Sequence, residues 1–495
     1  MTDWTSDPIC TPNAPFQDGL PRARAEEKGL NPRAIEAFIE DAERLGVVFN
    51  SLMVWHSGHV IAESWWWPYR ADRPHMMHSA TKSFLSAAVG IALAEGRFGL
   101  QDRVVDFCPQ HLVQPADARL ARMTVEDLLT QTCGHGHGTS GAQWRSISTS
   151  WIAEFFKIPV VFEPGTTFRY TSATSFMLSA IITQTTGQST HAYLQSRFLQ
   201  PMGIRGLQWD MGPENVNPGG NGISCTTSDL LKLAIVHLNE GQWNGAQLLP
   251  ADWIRRATSP LRGNPYGYHW WAGPSNSFYA YGVFGQFAMV FPEHDAVVAI
   301  TSATPPGEET LRSVIWRHFP GALSMVGVPG LRTNAPAPIL PDHSACRASP
   351  PAHLRQDSPT IALVHGKRYV ASPNDDGILS VRLAFDAVCC RLHIEDARGD
   401  HLIQVGLDDW LESETTLSGA ALHHGYEPGS MRVIAAGAWA APDRFVAQLR
   451  FVETSFCDEL VLSFDDREMR LERRVNVNSR LTYRPVVSLQ LLQEN

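Results

Sequence analysis

Apolar positions in this chain recur at helical spacing in five stretches and alternate with polar ones in several others. Ala34, Ile35, Phe38, Ile39 and Leu45 mark the first amphipathic helix. Two β-rich runs follow, Ser51 to Trp55 and Val60 to Trp67, separated by His56-Ser57-Gly58-His59, which predicts a hairpin. Phe84, Leu85, Ala88, Ile91 and Ala92 predict a helix from Ser79 to about Glu95, stopped by Gly96. Further helices are expected over Thr124 to Thr132, Ser172 to Thr185 and Ser228 to Glu240, with Thr124 and Asp127 a loose capping box and Thr226 to Asp229 offering N-caps. Between Tyr266 and Ala303 the segments YGYHWWA, SFYAYG, QFAMVF and AVVAITSA read as strands. Helices thus lie between an early hairpin and late strands, an α+β arrangement with one antiparallel sheet fed from both ends.

Beyond this the helical period stops. Six prolines between Pro329 and Arg355 suggest a semi-rigid linker. After it, segments such as ILSVRLAF, HLIQVGL, RFVAQLRFVE and MRLERRVNV are separated by turn-forming clusters at spacings near ten residues, which predicts an all-β barrel or sandwich. The expected division is residues 1–335, a proline-rich linker over 336–355, and an accessory β domain over 356–495.

Composition narrows the function classes. Length 495 and 44% hydrophobic residues exclude disorder and suggest more than one domain. With 40 Lys plus Arg against 50 Asp plus Glu, the net charge of −10 gives no footprint for nucleic acid or an anionic membrane. The longest apolar run, Phe84 to Ala94, falls well short of the roughly 20 residues of a membrane span. Met1-Thr2-Asp3-Trp4 lacks the start of a secretory signal, so a cytoplasmic location is expected. The eight cysteines show no paired metal or redox spacing.

Lysine is scarce, with Lys28, Lys82, Lys157, Lys232 and Lys367 the full set. At about 7% serine usage, five lysines give about a one-in-three chance of an accidental Ser-x-x-Lys, so spacing alone means little. The context of Ser79-Ala80-Thr81-Lys82 says more, because it opens a long apolar helix on which residues three apart share a face. A buried amine beside a serine hydroxyl can take its proton and make a nucleophile without histidine. The plain alternative is an N-cap serine followed by a surface lysine. Two other elements join it. Tyr170-Thr171-Ser172 presents a phenol and a hydroxyl where an extended segment opens a helix, and Ala280-Tyr281-Gly282-Val283-Phe284-Gly285-Gln286 puts a glycine where a substrate carbonyl would approach the backbone.

With these three elements the chain resembles the penicillin-recognising serine hydrolases, specifically class C β-lactamases, family VIII carboxylesterases and 6-aminohexanoate-dimer hydrolases. HSATKSFLSAAVGIALAEG, MTVEDLLTQTCGH, FEPGTTFRYTSATSFMLSAII, GGNGISCTTSDLLKLA, YGYHWW and GQFAMVFPEHDAVVAI stand in that family's order across roughly residues 25 to 320. The resemblance implies a β-lactamase/transpeptidase-like antiparallel sheet flanked by helices, and no cofactor. It makes Ser79 the acylated nucleophile, Lys82 its proton acceptor or hydrogen-bond partner, and Tyr170 the general base or acid. The oxyanion hole would be the backbone N–H groups of Ser79 and Val283, with Ser172, Tyr281 and Gly282 beside the substrate. Two departures matter. Ser172 stands where β-lactamases of the family have Asn, and Ala280 where they have the lysine that holds a β-lactam carboxylate, although the third motif's register could differ by a residue.

Other candidates have bland alternatives. His135 and His137 have an HxH spacing without a third ligand, so no metal is expected. His75 and His78 either touch substrate or pack. Trp65-Trp66-Trp67 and Trp270-Trp271 could line an acyl or leaving-group pocket, some being core. Cys133 reads as a small buried residue and His423-His424 as surface polarity at a turn. The expectation is a serine hydrolase that forms an acyl-enzyme with a small ester or amide and turns over β-lactams poorly. Its rivals are an acyltransferase on the same scaffold and a noncatalytic binding protein of the same fold. A peptidoglycan carboxypeptidase sits badly with the missing export signal. Partners are limited to the small-molecule substrate, and the oligomeric state, a homodimer included, stays open.

Overall fold

The computed structural model describes residues 6–10, 17–112, 117–305, 309–324, 346–349, 357–417, 419 and 421–492. The chain divides into two compact units, Pro15–Ser64 with Ala71–Pro341, and Met1–Ala14 with Trp65–Arg70 and Asp342–Asn495. The stretch 336–355 lies outside the described residues except for the short strand Cys346–Ser349, which pairs antiparallel with Ser6–Cys10.

The first unit is built on a six-stranded sheet. In chain order its strands are β1 (Phe49–His56), β2 (His59–Trp65), β3 (Trp271–Ala272), β4 (Phe278–Gly282), β5 (Gln286–Phe291) and β6 (Ala296–Ser302), arranged β2-β1-β6-β5-β4-β3. The early hairpin therefore joins the late strands through β1 and β6, as the pattern predicts. Ser57 and Gly58 between β1 and β2 both have positive φ, the backbone a two-residue hairpin turn needs to match strand twist. Every residue of β1, β5 and β6 is buried, so both faces of the sheet are covered.

One face carries α1 (Pro32–Arg44) and a C-terminal helix, Glu309–His318, through Phe38 against Phe49 and Phe319 and through Phe291 against Trp316. Further helices that matter for the site are α2 (Thr81–Ala94), α3 (Val125–Leu129), α4 (Ser172–Thr186) and α5 (Thr227–Leu238). In α2, every residue from Thr81 to Ala92 is buried, as expected of a helix apolar all round. Complete capping boxes, Thr124 with Asp127 and Thr226 with Asp229, start α3 and α5, each cap contributing about 1 kcal/mol. Two expectations need correcting. The helix expected to reach Thr132 stops at Leu129, because Gln131 takes a left-handed backbone, φ 59°. Of YGYHWWA only Trp271–Ala272 is a sheet strand, since His269 is left-handed at φ 64° and breaks the extended run.

The second unit settles the choice between barrel and sandwich. Nine strands form a closed antiparallel ring, sealed by a parallel bridge between Gly406 and Ala436, and Leu411–Thr415 pairs outside it with Met431–Ala441. Trp439, packed on Phe385, Phe445 and Phe464, lies in its core. The segment Trp65–Arg70 belongs to this unit. Trp67 packs edge-on against Trp410 at 5.0 Å, the Arg450 guanidinium stands 5.3 Å from the Trp67 ring, and the buried Tyr69 donates to the Thr454 carbonyl at 2.9 Å. Trp67 is thus packing rather than pocket. His423 corrects another expectation: it is fully buried, stacked on Phe456 and bonded through Nε2 to Asp458 at 2.7 Å, because the turn that holds it folds inward. Among the described residues, no helix is long and apolar enough to cross a membrane.

Candidate active site

Ser79 lies in a single 3-10 turn, His78–Ala80, that leads directly into α2. The turn is pinned from below. His75–Met76 pairs with Ile223–Cys225, and the Met77 N–H donates to the Ile223 carbonyl at 2.8 Å. His78 then takes a left-handed backbone, φ 46°, and lifts half-exposed Ser79 out of the core. Three residues on, Lys82 points the same way but is 1% exposed. Its Nζ donates to Ser79 Oγ at 3.2 Å and to the Gly220 carbonyl at 2.8 Å. Burial alone pushes the Lys82 ammonium down from 10.5 to about 7, so the free amine is a major species at neutral pH.

Tyr170 closes one side. Lys82 Nζ is 4.7 Å from the centre of its ring, which also packs edge-on against Tyr266 and lies 5.7 Å from Trp271. The turn that carries it is held by Gln131, whose side chain accepts from the Thr171 N–H at 2.8 Å and whose carbonyl accepts from the Arg169 N–H at 2.8 Å. Thr171 caps α4, and Ser172, buried, is its first residue, donating its N–H to the Thr139 carbonyl at 2.8 Å.

Gly282 closes the other side. A Cβ there would lie 2.2 Å from the Met77 carbonyl oxygen and 3.2 Å from the Ala80 nitrogen, so only glycine lets β4 end against the nucleophile turn. The following turn is rigid: Gln286 Nε2 donates to the carbonyls of Val283 and Ser302, and Phe284, left-handed at φ 69°, packs edge-on against His78. Tyr281 alternates with Gly282 along β4 and packs on Phe287 at 5.0 Å. Ala280 is buried and uncharged.

Beneath the lysine is a floor that the sequence pattern did not single out. His269 is buried, and burial with the neighbouring Lys82 charge pushes it down to about 3, so it stays neutral. Its Nδ1 faces the Leu129 carbonyl at 3.1 Å and its Nε2 faces Ser175 Oγ at 3.1 Å, which assigns the proton to Nδ1. Ser83 and Ser86 of α2 donate to the carbonyls of His269 and Tyr268 at 2.9 and 2.6 Å. The Gly220 carbonyl has no side-chain signature at all. The one available hint was the run Gly219-Gly220-Asn221-Gly222 between elements.

The remaining candidates separate cleanly. Trp271 is half-buried beside Tyr170, whereas Trp270 is core, against His237 and Phe278. His75 accepts from Asn50 Nδ2 at 2.9 Å within the core. His135 is buried edge-on to Phe155 and pushed down to about 4 by burial, while His137 is exposed, so the HxH pair does not converge. Among the described residues no group of three His, Cys, Asp or Glu gathers to hold a metal. Cys133 is buried, and burial pushes its thiol up to about 12.

The chain is 22% identical over 290 residues to the 6-aminohexanoate-dimer hydrolase of Paenarthrobacter ureafaciens, covering 52% of this chain and 73% of that protein. Its fold matches the solved "Putative 6-aminohexanoate-dimer hydrolase from Bacillus anthracis" with TM-score 0.52 at 18% identity, over 64% of this chain and 90% of that one. A penicillin-binding protein homologue from Caulobacter crescentus matches with TM-score 0.47 at 16% identity, over 59% and 99% of the two chains. The family model described as Beta-lactamase matches residues 32–319, more than half of the chain and all of the residues around Ser79. The protein therefore belongs to the β-lactamase family, a superfamily of serine hydrolases.

Proposed function

We propose that the protein hydrolyses a small ester or amide through an acyl-enzyme on Ser79. One observation carries the proposal: a lysine amine held dry at 3.2 Å from a half-exposed serine hydroxyl and pushed to about 7 is a base ready to take that serine's proton. Ser79 Oγ attacks the substrate carbonyl as its proton passes to the Lys82 and Tyr170 pair. The new oxyanion is held by the backbone N–H groups of Ser79 and Val283, and the leaving alcohol or amine takes the proton from Tyr170 as its bond to the acyl carbon breaks. Water then attacks the acyl-enzyme by the same route and frees the acid. Half-exposed Trp271 next to Tyr170 offers an aromatic wall to the substrate. Ser172 lies at the start of α4 on the same side.

A panel of short acyl esters and amides, read by intact mass for a trapped adduct, tests the proposal. An adduct on Ser79 with release of the alcohol or amine is expected. Transfer to an added alcohol or amine in place of water would assign acyl transfer instead, and absence of any adduct across the panel would remove the catalytic assignment.

A further inference from the structure

The bond from Lys82 to Gly220 is the shorter of the two that the lysine makes, and the residues that fix Gly220 are on a loop with a built-in clamp. Residues 219–223 run Gly-Gly-Asn-Gly-Ile across the N-terminus of α2. Gly219 is left-handed at φ 61° and so close to α4 that a Cβ would lie 2.2 Å from the Ser175 carbonyl oxygen; a Cβ on Gly220 would lie 3.0 Å from that of Ser172. On the far side, Ile223 N–H donates to Thr81 Oγ1 at 3.2 Å. Between these anchors Arg145 is the one side chain that grips both Asn221 and Asp210. Arg145 Nη2 donates to Asn221 Oδ1 at 3.0 Å and also to Asp210 Oδ2, while the Gly222 carbonyl accepts from the Asp210 N–H at 2.9 Å and the Asn221 carbonyl from Trp209 Nε1 at 3.2 Å. Arg145 itself ends the short helix Gly141–Arg145, whose N-cap Ser140 carries a full capping box with Gln143.

We propose that Arg145 is a positioning residue for Lys82: by clamping Asn221 and Asp210 it holds the Gly220 carbonyl over the amine, aims the amine at Ser79 and keeps water off it. The proposal rests on Ser79 and Lys82 being the nucleophile and its base. The groups that face Lys82 are Ser79 on its own turn, the Tyr170 phenol before α4, neutral His269 with Tyr266 behind it, and the uncharged backbone of Gly220, with the Arg145 and Asp210 pair one residue beyond Gly220. No carboxylate touches the amine in this set, so water exclusion is what controls its charge. Two effects of losing the clamp oppose each other. A freed carbonyl stops favouring the ammonium, whereas entering water relieves the burial that lowers it. Burial is the cause that moved the group from 10.5 to about 7, so its relief wins and the lysine holds its proton more tightly.

The test is the pH dependence of Ser79 phosphonylation by a fluorophosphonate, between about pH 5 and about pH 10, in wild type, Arg145→Met and Asn221→Ala. The midpoint of the wild-type profile is expected near 7. In Arg145→Met it should move up by about one pH unit, slowing labelling about tenfold on the acid side and leaving the alkaline plateau unchanged. Asn221→Ala, which keeps the Arg145 and Asp210 pair and so guards against a variant that fails to fold, should move the midpoint the same way by less. A rate lowered equally at every pH, with the midpoint unmoved in both variants, would mean that Arg145 only supports the fold and would overturn the proposal. Labelling that persists in Ser79→Ala would instead overturn the nucleophile assignment and this proposal with it.

Discussion

Gly282 and Met77 stand so close that the carbonyl oxygen of one fills the place where the other's side chain would be, 2.2 Å from the Cβ position. This pair joins the end of β4 to the turn that presents Ser79. The contact sets how closely the end of β4 approaches that turn. Gly282→Ala must push the strand away from the turn, and a displacement near 1 Å at a reacting centre costs about a hundredfold in rate. Fluorophosphonate labelling of Ser79 should fall by that factor in a variant that still melts cooperatively. A labelling rate within a few-fold of wild type would show that the strand edge plays no part in the reaction.

Lys82→Met and Tyr170→Phe should each lower kcat/KM for a reactive ester by at least about a hundredfold, the scale of a positioned proton-transfer group. Because the Tyr170 ring lies 4.7 Å from the Lys82 amine and the proposed relay uses both residues as one unit, the double variant should be little worse than the poorer single. Steady-state kinetics on the three variants decides this, and near wild-type rates in either single variant would contradict the relay.

The same lysine makes a separate prediction about stability. Its folded-state pKa, about 7, lies below its ordinary value of 10.5, so the unfolded chain binds the proton more tightly. The resulting penalty is full below pH 7, shrinks as pH rises and vanishes above 10.5. Lys82→Met removes it. Denaturant unfolding should therefore show the variant more stable than wild type at acidic pH, by up to a few kcal/mol at about 1.4 kcal/mol per pKa unit, with the difference narrowing as pH rises. A difference constant with pH would mean that the amine is not held dry.

How far these features could be read in advance depends on whether a side chain announces them. The β1–β2 hairpin, the N-caps at Thr124 and Thr226 and the adjacency of Ser79 and Lys82 follow from period and spacing, which are local in the chain. The Gly220 carbonyl does not, because a backbone acceptor has no residue type. Nor does the break at His269, where β-rich composition predicts extension but serine hydroxyls from α2 capture the carbonyls of residues 268 and 269. His423 differs from expectation for a related reason: polarity predicts exposure, whereas the buried ring is satisfied by Asp458, a residue 35 positions away. Trp67 shows the limit most plainly, since its partners Trp410 and Arg450 are hundreds of residues distant.

Trp410 is 5% exposed and carries one face of Trp67, with Arg450 Cζ 5.1 Å from its ring. Trp410→Ala should destabilise the protein by about 3 kcal/mol, in the range for large-to-small core changes. Calorimetry or denaturant unfolding measures the loss. A change below about 1 kcal/mol would mean that the site collapses without cost.

Esters should be better substrates than β-lactams. Buried Ala280 cannot pair with a β-lactam carboxylate as an ammonium would, and loss of a charge-assisted bond of that kind costs about 1.5–3 kcal/mol. Comparing kcat/KM for a short-chain ester and a chromogenic cephalosporin settles the order, and a higher value for the cephalosporin would show that the anion is held by another cation.

Peptide mapping after fluorophosphonate treatment of the full chain, with intact mass before and after, tests the assignment of the nucleophile most directly. One covalent group per chain on the peptide that holds Ser79, lost in Ser79→Ala, is the expected result. Stoichiometric labelling that survives undiminished in Ser79→Ala would place the nucleophile elsewhere, and the buried Lys82 would then be a lysine with no serine to deprotonate.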